Sequence, residues 1–355
     1  MAVFLSACTG KSNGNAAATE TAGMVDLNDA TDTANITTVS NDSADTDKTT
    51  DTVNIIDTSD STEMSDNIEA YDAVTFTDSL NREVTVKKNP ERVAALLGSF
   101  ADVWTLAGGL VCATVEDAWS DYGLDTADTV NIGGAHSPGL ELLLSASPEF
   151  VIASSATKSN VEMLDTLNAA GITVAYFDVS NFDDYLHMLD VLTDITSRKD
   201  LYEEYGLKLK ESIEETKKDY ASLPLTEDER KILLIRTSAS SVKAKGSSGT
   251  ILGEMLKDMG CINIADSDET LLENLSIEAI IKENPSMIFV TTMGKDTETA
   301  LNAFYSIINE NPAWSSLTAV KENRIHVMDK TLFNSKPNSR WAEAYRILYE
   351  ALTEK

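Results

Sequence analysis

Residues 139–152 read GLELLLSASPEFVI, and residues 276–289 read SIEAIIKENPSMIF. The two stretches align without a gap: Glu141 or Glu278 opens a short apolar run, a proline follows seven residues later, and a second apolar run comes next. An acidic residue in the first turn and a proline just past the last turn suit a short helix. The second run has the length of a buried strand. The shared offset predicts two related lobes, each with this helix–proline–strand unit.

Short apolar runs alternate with helical patterns on both sides of these units, from Tyr71 onward. This alternation is typical of α/β lobes with mainly parallel sheets. We predict an N-terminal lobe over residues 71–196 and a C-terminal lobe over residues 224–355. The predicted core strands are residues 92–97, 150–153 and 173–177 in the first lobe, and residues 231–235, 287–290 and 324–328 in the second.

A single long helix is predicted between the lobes, over residues 197–223. The four residues from Ser197 to Asp200 have the pattern of a capping box that starts a helix. Apolar residues then recur on one side as far as Tyr220, and Pro224 follows the helix. At about 1.5 Å per residue, the part from the cap to Tyr220 is roughly 33 Å long, which suffices to brace one lobe against the other.

The beginning of the chain has the features of a membrane attachment. Leu5-Ser6-Ala7-Cys8 is similar to a bacterial lipobox, so we interpret residues 1–8 as a shortened lipoprotein signal with a lipidated Cys8. Residues 9–70 contain thirteen acidic residues against two lysines, and no proline. Such a segment buries too little apolar surface to offset the entropy of ordering, which predicts a disordered acidic tether. A soluble domain would thus be held at a membrane through a lipid anchor.

Composition excludes several classes of protein. The 355 residues carry a formal charge of −30, which repels phosphates and argues against a nucleic-acid partner. The sequence contains no run of eighteen apolar residues, so no membrane-spanning helix is predicted. Three widely spaced cysteines do not suggest a disulfide framework. Beside Cys8, we expect Cys112 and Cys261 to be small buried hydrophobic residues.

Four further motifs lie outside the repeated units. Residues 74–86 read VTFTDSLNREVTV, residues 89–93 read NPERV, residues 311–325 read NPAWSSLTAVKENRI, and residues 336–341 read KPNSRW. In this order, and with the two glutamate units, they resemble the periplasmic-binding-protein family for ferric siderophores, haem and cobalamin. The last motif resembles a subgroup from anaerobic Gram-positive bacteria. Asn81 stands where the family usually has glycine, and asparagine also accepts left-handed backbone angles.

The resemblance covers about residues 73–353 and implies two Rossmann-like lobes, a rigid helix between them, and a ligand cleft with little hinge motion. It implies a solute-binding component that captures an iron chelate, a ferric siderophore or haem, and delivers it to an ABC importer. Glu141 and Glu278 match the surface glutamates that meet arginines on the two permease subunits, which work with an ATPase. A monomer on the extracellular face of a Gram-positive type of cell membrane is expected.

The candidate ligand site follows from the predicted sheets, because ligands of open α/β sheets lie beyond the carboxyl ends of the strands. In the first lobe the candidate residues are Ser99, Phe100, Trp119, Tyr122, His136, Ser155 and Asp178. In the second lobe they are Arg236, Lys243, Lys245, Thr292, Phe333, Lys336, Arg340 and Trp341.

Basic residues stand out in so acidic a chain. Lys243, Lys245 and Arg340 suit an anionic ligand such as a ferric catecholate, a citrate-like chelate or haem propionates. For Lys243, ordinary solvated surface charge is an equal alternative. His136 follows Gly-Gly-Ala and is a candidate haem ligand, although a single loop histidine is more often only exposed. The three histidines are too scattered for a bare Zn²⁺ or Mn²⁺ site, and no cofactor is expected.

Other classes of protein fit the sequence less well than a carrier does. The sequence has no Gly-x-Ser-x-Gly elbow, no His-Glu-x-x-His and no phosphate-binding Gly-x-x-x-x-Gly-Lys run, so an enzyme is not predicted. Carboxylates are numerous, and a glycosidase pair therefore remains an alternative. A cobalamin-binding protein of the same fold is a nearer alternative. An adhesin or a structural lipoprotein would not need two matched lobes with a cleft.

Overall fold

Residues 72–124 and 127–354 are described by the structure, a computed structural model of the chain. The predicted signal with Cys8 and the predicted tether over residues 9–70 lie outside these residues. Both α/β lobes are present, and each has a largely parallel sheet. The predicted fold class is therefore confirmed.

The N-terminal lobe opens with an antiparallel hairpin of β1 (Ala73–Thr77) and β2 (Glu83–Lys87). Its main sheet is entirely parallel, with the strand order β5-β4-β3-β8-β9. The remaining elements of this lobe are β3 (Val93–Ala95), α1 (Gly98–Leu106), β4 (Val111–Thr114), α2 (Asp117–Ser120), β5 (Val130–Asn131), β6 (Gly133–Gly134), β7 (Ser137–Pro138), α3 (Leu140–Ser145), β8 (Phe150–Ser154), α4 (Lys158–Glu162), α5 (Leu164–Ala169), β9 (Thr173–Phe177) and α6 (Phe182–Ile195).

A helical strut joins the lobes and consists of α7 (Lys199–Tyr202), a π turn (Glu203–Leu207) and α8 (Lys208–Ala221). The strut is continuous, because the residues at each junction keep helical backbone angles. The predicted capping box at its start is wrong. Ser197 has a φ of 58° and closes the turn after α6, while Asp200 binds the guanidinium of Arg198 at 2.7 and 2.8 Å instead.

The π turn is fixed by contacts with α6. The Tyr185 hydroxyl donates to the Tyr205 carbonyl at 2.9 Å, which satisfies an acceptor inside the turn. Gly206 is buried there, and a β-carbon at this position would lie 2.8 Å from Cδ1 of Leu186. The strut is therefore held against the N-terminal lobe along its first half.

The C-terminal lobe has the strand order β11-β10-β13-β14, with β12 also parallel to β10. Only β11 runs antiparallel in this sheet. The elements are α9 (Glu227–Arg230), β10 (Lys231–Thr237), β11 (Val242–Lys245), α10 (Ile251–Asp258), β12 (Ile262–Asn263), α11 (Glu269–Asn274), α12 (Ile277–Glu283), β13 (Met287–Thr292), α13 (Thr297–Glu310), α14 (Thr318–Lys321), β14 (Ile325–Val327), α15 (Lys330–Phe333) and α16 (Trp341–Thr353), with short 3₁₀ turns at Ile264–Asp266, Pro312–Ser316 and Asn338–Arg340.

The repeated units have the same local structure in both lobes. The glutamate lies in the first turn of α3 or α12, and the residue before the proline, Ser147 or Asn284, has a φ of 48° or 46°. A left-handed residue followed by proline ends each helix. The buried strands β8 and β13 follow, as predicted.

Three hydrophobic clusters form the core. One lies on the outer face of each sheet, and the third extends through both lobes and the strut, where it includes Phe100, Tyr220, Phe289 and Trp341. The shared cluster makes the two lobes one structural unit. No helix in the described part of the chain is long and apolar enough to cross a membrane.

Candidate functional site

The carboxyl ends of the two sheets face each other across a cleft. Glu116 follows β4 and Lys295 follows β13, and the ammonium of Lys295 lies 3.8 Å from the carboxylate of Glu116. Elsewhere between the lobes, the Tyr122 hydroxyl donates to the Lys336 carbonyl at 3.3 Å. Loops from both lobes therefore meet at the edge where ligands of α/β sheets bind.

The start of α1 forms part of the N-terminal wall. The Gly98 amide donates to the Asp117 carboxylate at 3.2 Å, which draws α1 and α2 together. A β-carbon on Gly98 would lie 2.4 Å from the backbone nitrogen of Ala118, so this position has room only for glycine. Burial raises the pKa of Asp117, and the hydrogen bond from Gly98 opposes that shift. Ser99, a predicted ligand residue, follows and is 5% exposed.

Tyr122 and Lys336 contact each other between the lobes, and both were predicted as ligand residues. The ammonium of Lys336 lies over the ring of Phe100 at 5.8 Å from its centroid. Burial lowers the pKa of Lys336, while the carboxylates of Asp178 and Asp117 oppose this shift. Burial also raises the pKa of the Tyr122 hydroxyl, so it is a neutral donor and acceptor at physiological pH.

A second contact between the lobes was not predicted. The side-chain amide of Asn338 donates to the Ser99 carbonyl at 2.9 Å and to the Asp102 carboxylate at 2.8 Å. Burial raises the pKa of Asp102, and the bond from Asn338 partly offsets it. The C-terminal segment is thus tied to the first turns of α1.

Three basic side chains lie together on the C-terminal wall: Arg236, Lys243 and Lys245, which we call the cationic cluster. Arg236 pairs directly with Lys243 across β10 and β11, and Leu234 pairs with Lys245. Directly paired residues share a face, and Leu234 lies on the same face as Arg236 because the two are two positions apart in one strand. All three basic side chains therefore lie on the same face of the sheet. Ile235 points to the opposite face of the sheet, where it packs in the hydrophobic cluster of the C-terminal lobe alone.

The cationic cluster lacks compensating charge. In residues 72–124 and 127–354, none of its members forms an ion pair, and Nε of Arg236 is buried without a hydrogen-bond partner. Burial lowers the pKa of Arg236. Burial is the main cause that lowers the pKa of Lys245, and the positive charges of Arg236 and Lys243 lower it further. Like charges held this close are suited to bind an anion.

Five other predicted residues have differing surroundings. Trp119 is half-buried in α2, and His136 is exposed at the tip of the β6–β7 hairpin. Ser155 follows β8, where its amide donates to the Phe177 carbonyl at 3.1 Å. Asp178 is exposed after β9, and Thr292 is 2% exposed at the end of β13.

Three predicted ligand residues have a packing role instead: Phe100, Phe333 and Trp341. Each is at most 1% exposed. Trp341 packs edge-on against Phe182 of the N-terminal lobe, with ring centroids 6.0 Å apart. Burial of large apolar side chains contributes more to the stability of the fold than burial of small ones. These three side chains therefore point into the core and away from the cleft. They have no surface free for a ligand in this structure.

Arg340 is placed differently from the cationic cluster. Its guanidinium is exposed and forms a two-bond pair with Glu343 of the next turn, at 2.7 and 3.0 Å. Its charge is therefore already compensated.

The two predicted docking residues, Glu141 and Glu278, are both exposed, one on each lobe. Their docking role stays a prediction.

A separate groove of about 360 Å³ lies among α6, α8, α10 and α16, with Phe182 and Ile213 in its lining. Its central charges pair with each other: the ammonium of Lys217 lies 2.8 Å from Asp258, which also accepts from the Tyr345 hydroxyl at 2.7 Å. None of the predicted ligand residues in the described chain lines this groove. The described residues also contain no group of three or more potential metal ligands.

The fold and the cleft define a two-lobed solute-binding protein. The sequence matches the profile of the family described as periplasmic binding protein over residues 59–332, and the chain belongs to this family. The predicted resemblance is thereby confirmed.

Two relatives from Bacillus subtilis (strain 168) illustrate the range of the family. The uncharacterized ABC transporter substrate-binding lipoprotein YvrC is 25% identical over 281 residues, 79% of this chain and 85% of that protein. The Fe(3+)-citrate-binding protein YfmC is 25% identical over 255 residues, 70% of this chain and 76% of that protein.

Solved structures share the fold. Staphylococcus aureus SirA complexed with staphyloferrin B aligns with a TM-score of 0.61 and 21% identity, over 79% of this chain and 98% of SirA. S. aureus IsdE complexed with heme aligns with a TM-score of 0.60 and 17% identity, over 74% of this chain and 99% of IsdE.

Proposed function

We propose that this protein captures an iron chelate outside the cytoplasm and delivers it to an ABC importer. The observation that carries the proposal is the cationic cluster at the interlobe cleft, which has no carboxylate partner in the described chain. Ferric chelates of carboxylates or catecholates are anionic and supply the missing charge. The family and the names of the relatives support the same function.

The proposed contact surface has two walls. Arg236, Lys243 and Lys245 neutralise the anionic part of the chelate. Ser99 and Tyr122 offer hydrogen bonds from the opposite side. Trp119, His136, Ser155, Asp178, Lys336 and Arg340 remain candidates at the rim, where chelates of different size reach them to different extents. Thr292 is buried at the end of β13 and is not proposed as a contact.

Delivery requires a docking surface and a location, and both are parts of the proposal. Glu141 and Glu278 project from equivalent helices, one per lobe, which suits a permease dimer that presents the same basic patch twice. We propose a monomer that is anchored through Cys8 to the outer face of the cell membrane and has no enzymatic activity.

Fluorescence titration tests the proposal. Trp119 is half-buried beside the cleft and serves as the reporter. Saturable quenching is expected with one of ferric citrate, a ferric catecholate siderophore or haem, and it should disappear in Trp119→Phe. Arg236→Gln should weaken that binding by roughly tenfold, since a charge-assisted bond contributes about 1.5–3 kcal/mol. Saturation by cobalamin alone would support the cobalamin carrier, and no saturation by any of the four would refute the proposal.

A further inference from the structure

The carboxylates that follow β13 and β14 in the C-terminal lobe cap helices. Asp296 follows β13 and accepts the Thr299 amide at 2.9 Å as a helix cap. Asp329 follows β14 and accepts the Thr331 amide at 2.7 Å in the same way. An acid that caps a helix is held by the helix amides and their dipole. Asp266, beside Gly246, likewise accepts the Ser247 amide at 2.7 Å, and none of these carboxylates of the described C-terminal lobe forms an ion pair with the cationic cluster.

The N-terminal wall has the opposite sign. Glu116 and Asp117 follow β4, Asp121 follows α2, and Asp178 follows β9. The basic residue near this edge, Lys158, begins α4 and lies 3.7 Å from Glu162 on the next turn. The loops at this edge thus contribute four carboxylates.

Two lysines of the C-terminal lobe offset part of this charge. Lys336 lies near Asp117 and Asp178, and Lys295 lies 3.8 Å from Glu116 across the cleft. Two lysines against four carboxylates leave the N-terminal wall negative. A cleft with low-dielectric walls concentrates the fields of both walls on the molecule between them.

We infer that the cleft is electrically polarised and selects a chelate with carboxylate or catecholate oxygens at one end and an ammonium group at the other. The anionic end contacts Arg236, Lys243 and Lys245, and the ammonium faces Asp178. This inference rests on the proposed function and adds the orientation and charge pattern of its ligand. A chelate that is anionic on all sides gains from one wall and is repelled by the other.

Two iron chelates of different charge test the inference by equilibrium dialysis with labelled iron. Ferric citrate carries only anionic groups, and ferrioxamine B carries a single ammonium and no free carboxylate. For ferric citrate, Lys243→Gln should weaken binding roughly tenfold, and Asp178→Asn should strengthen it severalfold. For ferrioxamine B, Lys243→Gln should strengthen binding and Asp178→Asn should weaken it.

Matched variants control for net charge. Lys321→Gln on α14 and Asp165→Asn on α5 make the same charge changes at exposed positions outside the cleft loops, and each should alter binding less than about twofold. If a chelate binds but Asp178→Asn has the same sign of effect on both, or none, the polarised cleft is refuted and the carrier function stands. If neither chelate binds the wild-type protein at about 1 mM, where affinity is only about 4 kcal/mol, the polarised cleft is refuted, and the fluorescence titration alone decides the carrier function.

Discussion

The Nδ2 atom of Asn338 lies 2.8 Å from the Oδ2 atom of Asp102, and this hydrogen bond crosses from the C-terminal lobe to the N-terminal lobe. Asn338 is 1% exposed and has a φ of 51°, so its position leaves little freedom. The strut is a covalent connection between the lobes, at a different place in the fold. Together with the Tyr122–Lys336 contact, these connections oppose a change in the spacing of the cleft walls.

Asn338→Asp should make the stability of the protein strongly pH-dependent. Two buried carboxyl groups in contact cannot both be ionised, so one keeps a proton and its pKa rises further above the ordinary 3.8. When the pKa of a carboxyl group is raised in the folded state, the contribution of that group to stability is fully present at acidic pH. The contribution is lost as the pH rises through the raised pKa. Urea unfolding should show a deficit that grows between pH 4 and pH 8 by about 1.4 kcal/mol per unit of pKa increase.

Asn323→Asp is the matched control, because Asn323 also has a positive φ, 57°, but is exposed. Its unfolding free energy should follow the wild-type pH profile. An equal deficit for Asn338→Asp at pH 4 and pH 8 would contradict the role assigned to Asp102.

Gly98→Ala should destabilise the protein by about 1–3 kcal/mol or more, because the new methyl group would lie 2.4 Å from a backbone nitrogen that cannot move alone. Gly134→Ala is the control: its nearest neighbour, Oγ of Ser137, would be 3.8 Å away, and a change below about 0.5 kcal/mol is expected. Urea unfolding measures both. Similar stabilities of the two variants would show that α1 and α2 are not closely apposed.

His326→Gln should reduce the loss of stability on acidification. His326 stacks on Phe289, with ring centroids 5.2 Å apart, and its Nε2 is buried without a partner. Burial lowers its pKa below the ordinary 6.5, and although Glu354 opposes the shift, Arg324 adds to it. Stability is thus present above pH 6.5 and is lost as the pH falls toward the lowered value, because the unfolded chain takes up the proton first.

The measurement is the difference in unfolding free energy between pH 7 and pH 5. It should be smaller in His326→Gln than in the wild type, and unchanged in His187→Gln, an exposed position on α6. Equal slopes for all three proteins would remove His326 from the acid response.

Charge reversal tests docking. Glu141→Lys with Glu278→Lys should leave chelate affinity unchanged and abolish uptake or stimulation of the importer ATPase, because like charges across an interface repel. The double control Asp165→Lys with Glu298→Lys makes the same net change in the first turns of α5 and α13. Normal uptake by Glu141→Lys/Glu278→Lys, or equal loss in the control, would exclude these two glutamates as the docking pair.

Much of the fold was predictable from local sequence. The apolar run over residues 173–177 coincides with β9, since strands buried on both faces are continuously apolar. Asn81, expected to accept left-handed backbone angles, has a φ of 59°. The strand β4 was missed because Val111–Thr114 reads VCAT, in which valine is the single large apolar residue, so the run does not stand out as a buried strand. The acids that follow it, Glu116 and Asp117, were missed for that reason.

Side-chain direction in the candidate site was not predictable. Sequence placed Phe100 and Trp341 in segments near the cleft, but their direction depends on partners such as Phe177 and Phe182, which are distant in sequence. Likewise, the pairing of Arg236 with a lysine depends on the register of the β10–β11 hairpin. In contrast, the Arg340–Glu343 pair was visible as a basic and an acidic residue three positions apart.

The π turn of the strut bears on which single-codon deletions this gene can tolerate. Glu203–Leu207 form a turn that is one residue longer than an α-helical turn. Removal of one of these residues leaves a regular α-helix, with Tyr202 and Ile213 still directed to the same core. Removal of one residue from α8 just before Ile213 would instead rotate that buried side chain by about 100° toward water. We therefore expect related sequences to gain or lose a residue at the π turn, and not in the part of α8 that precedes Ile213.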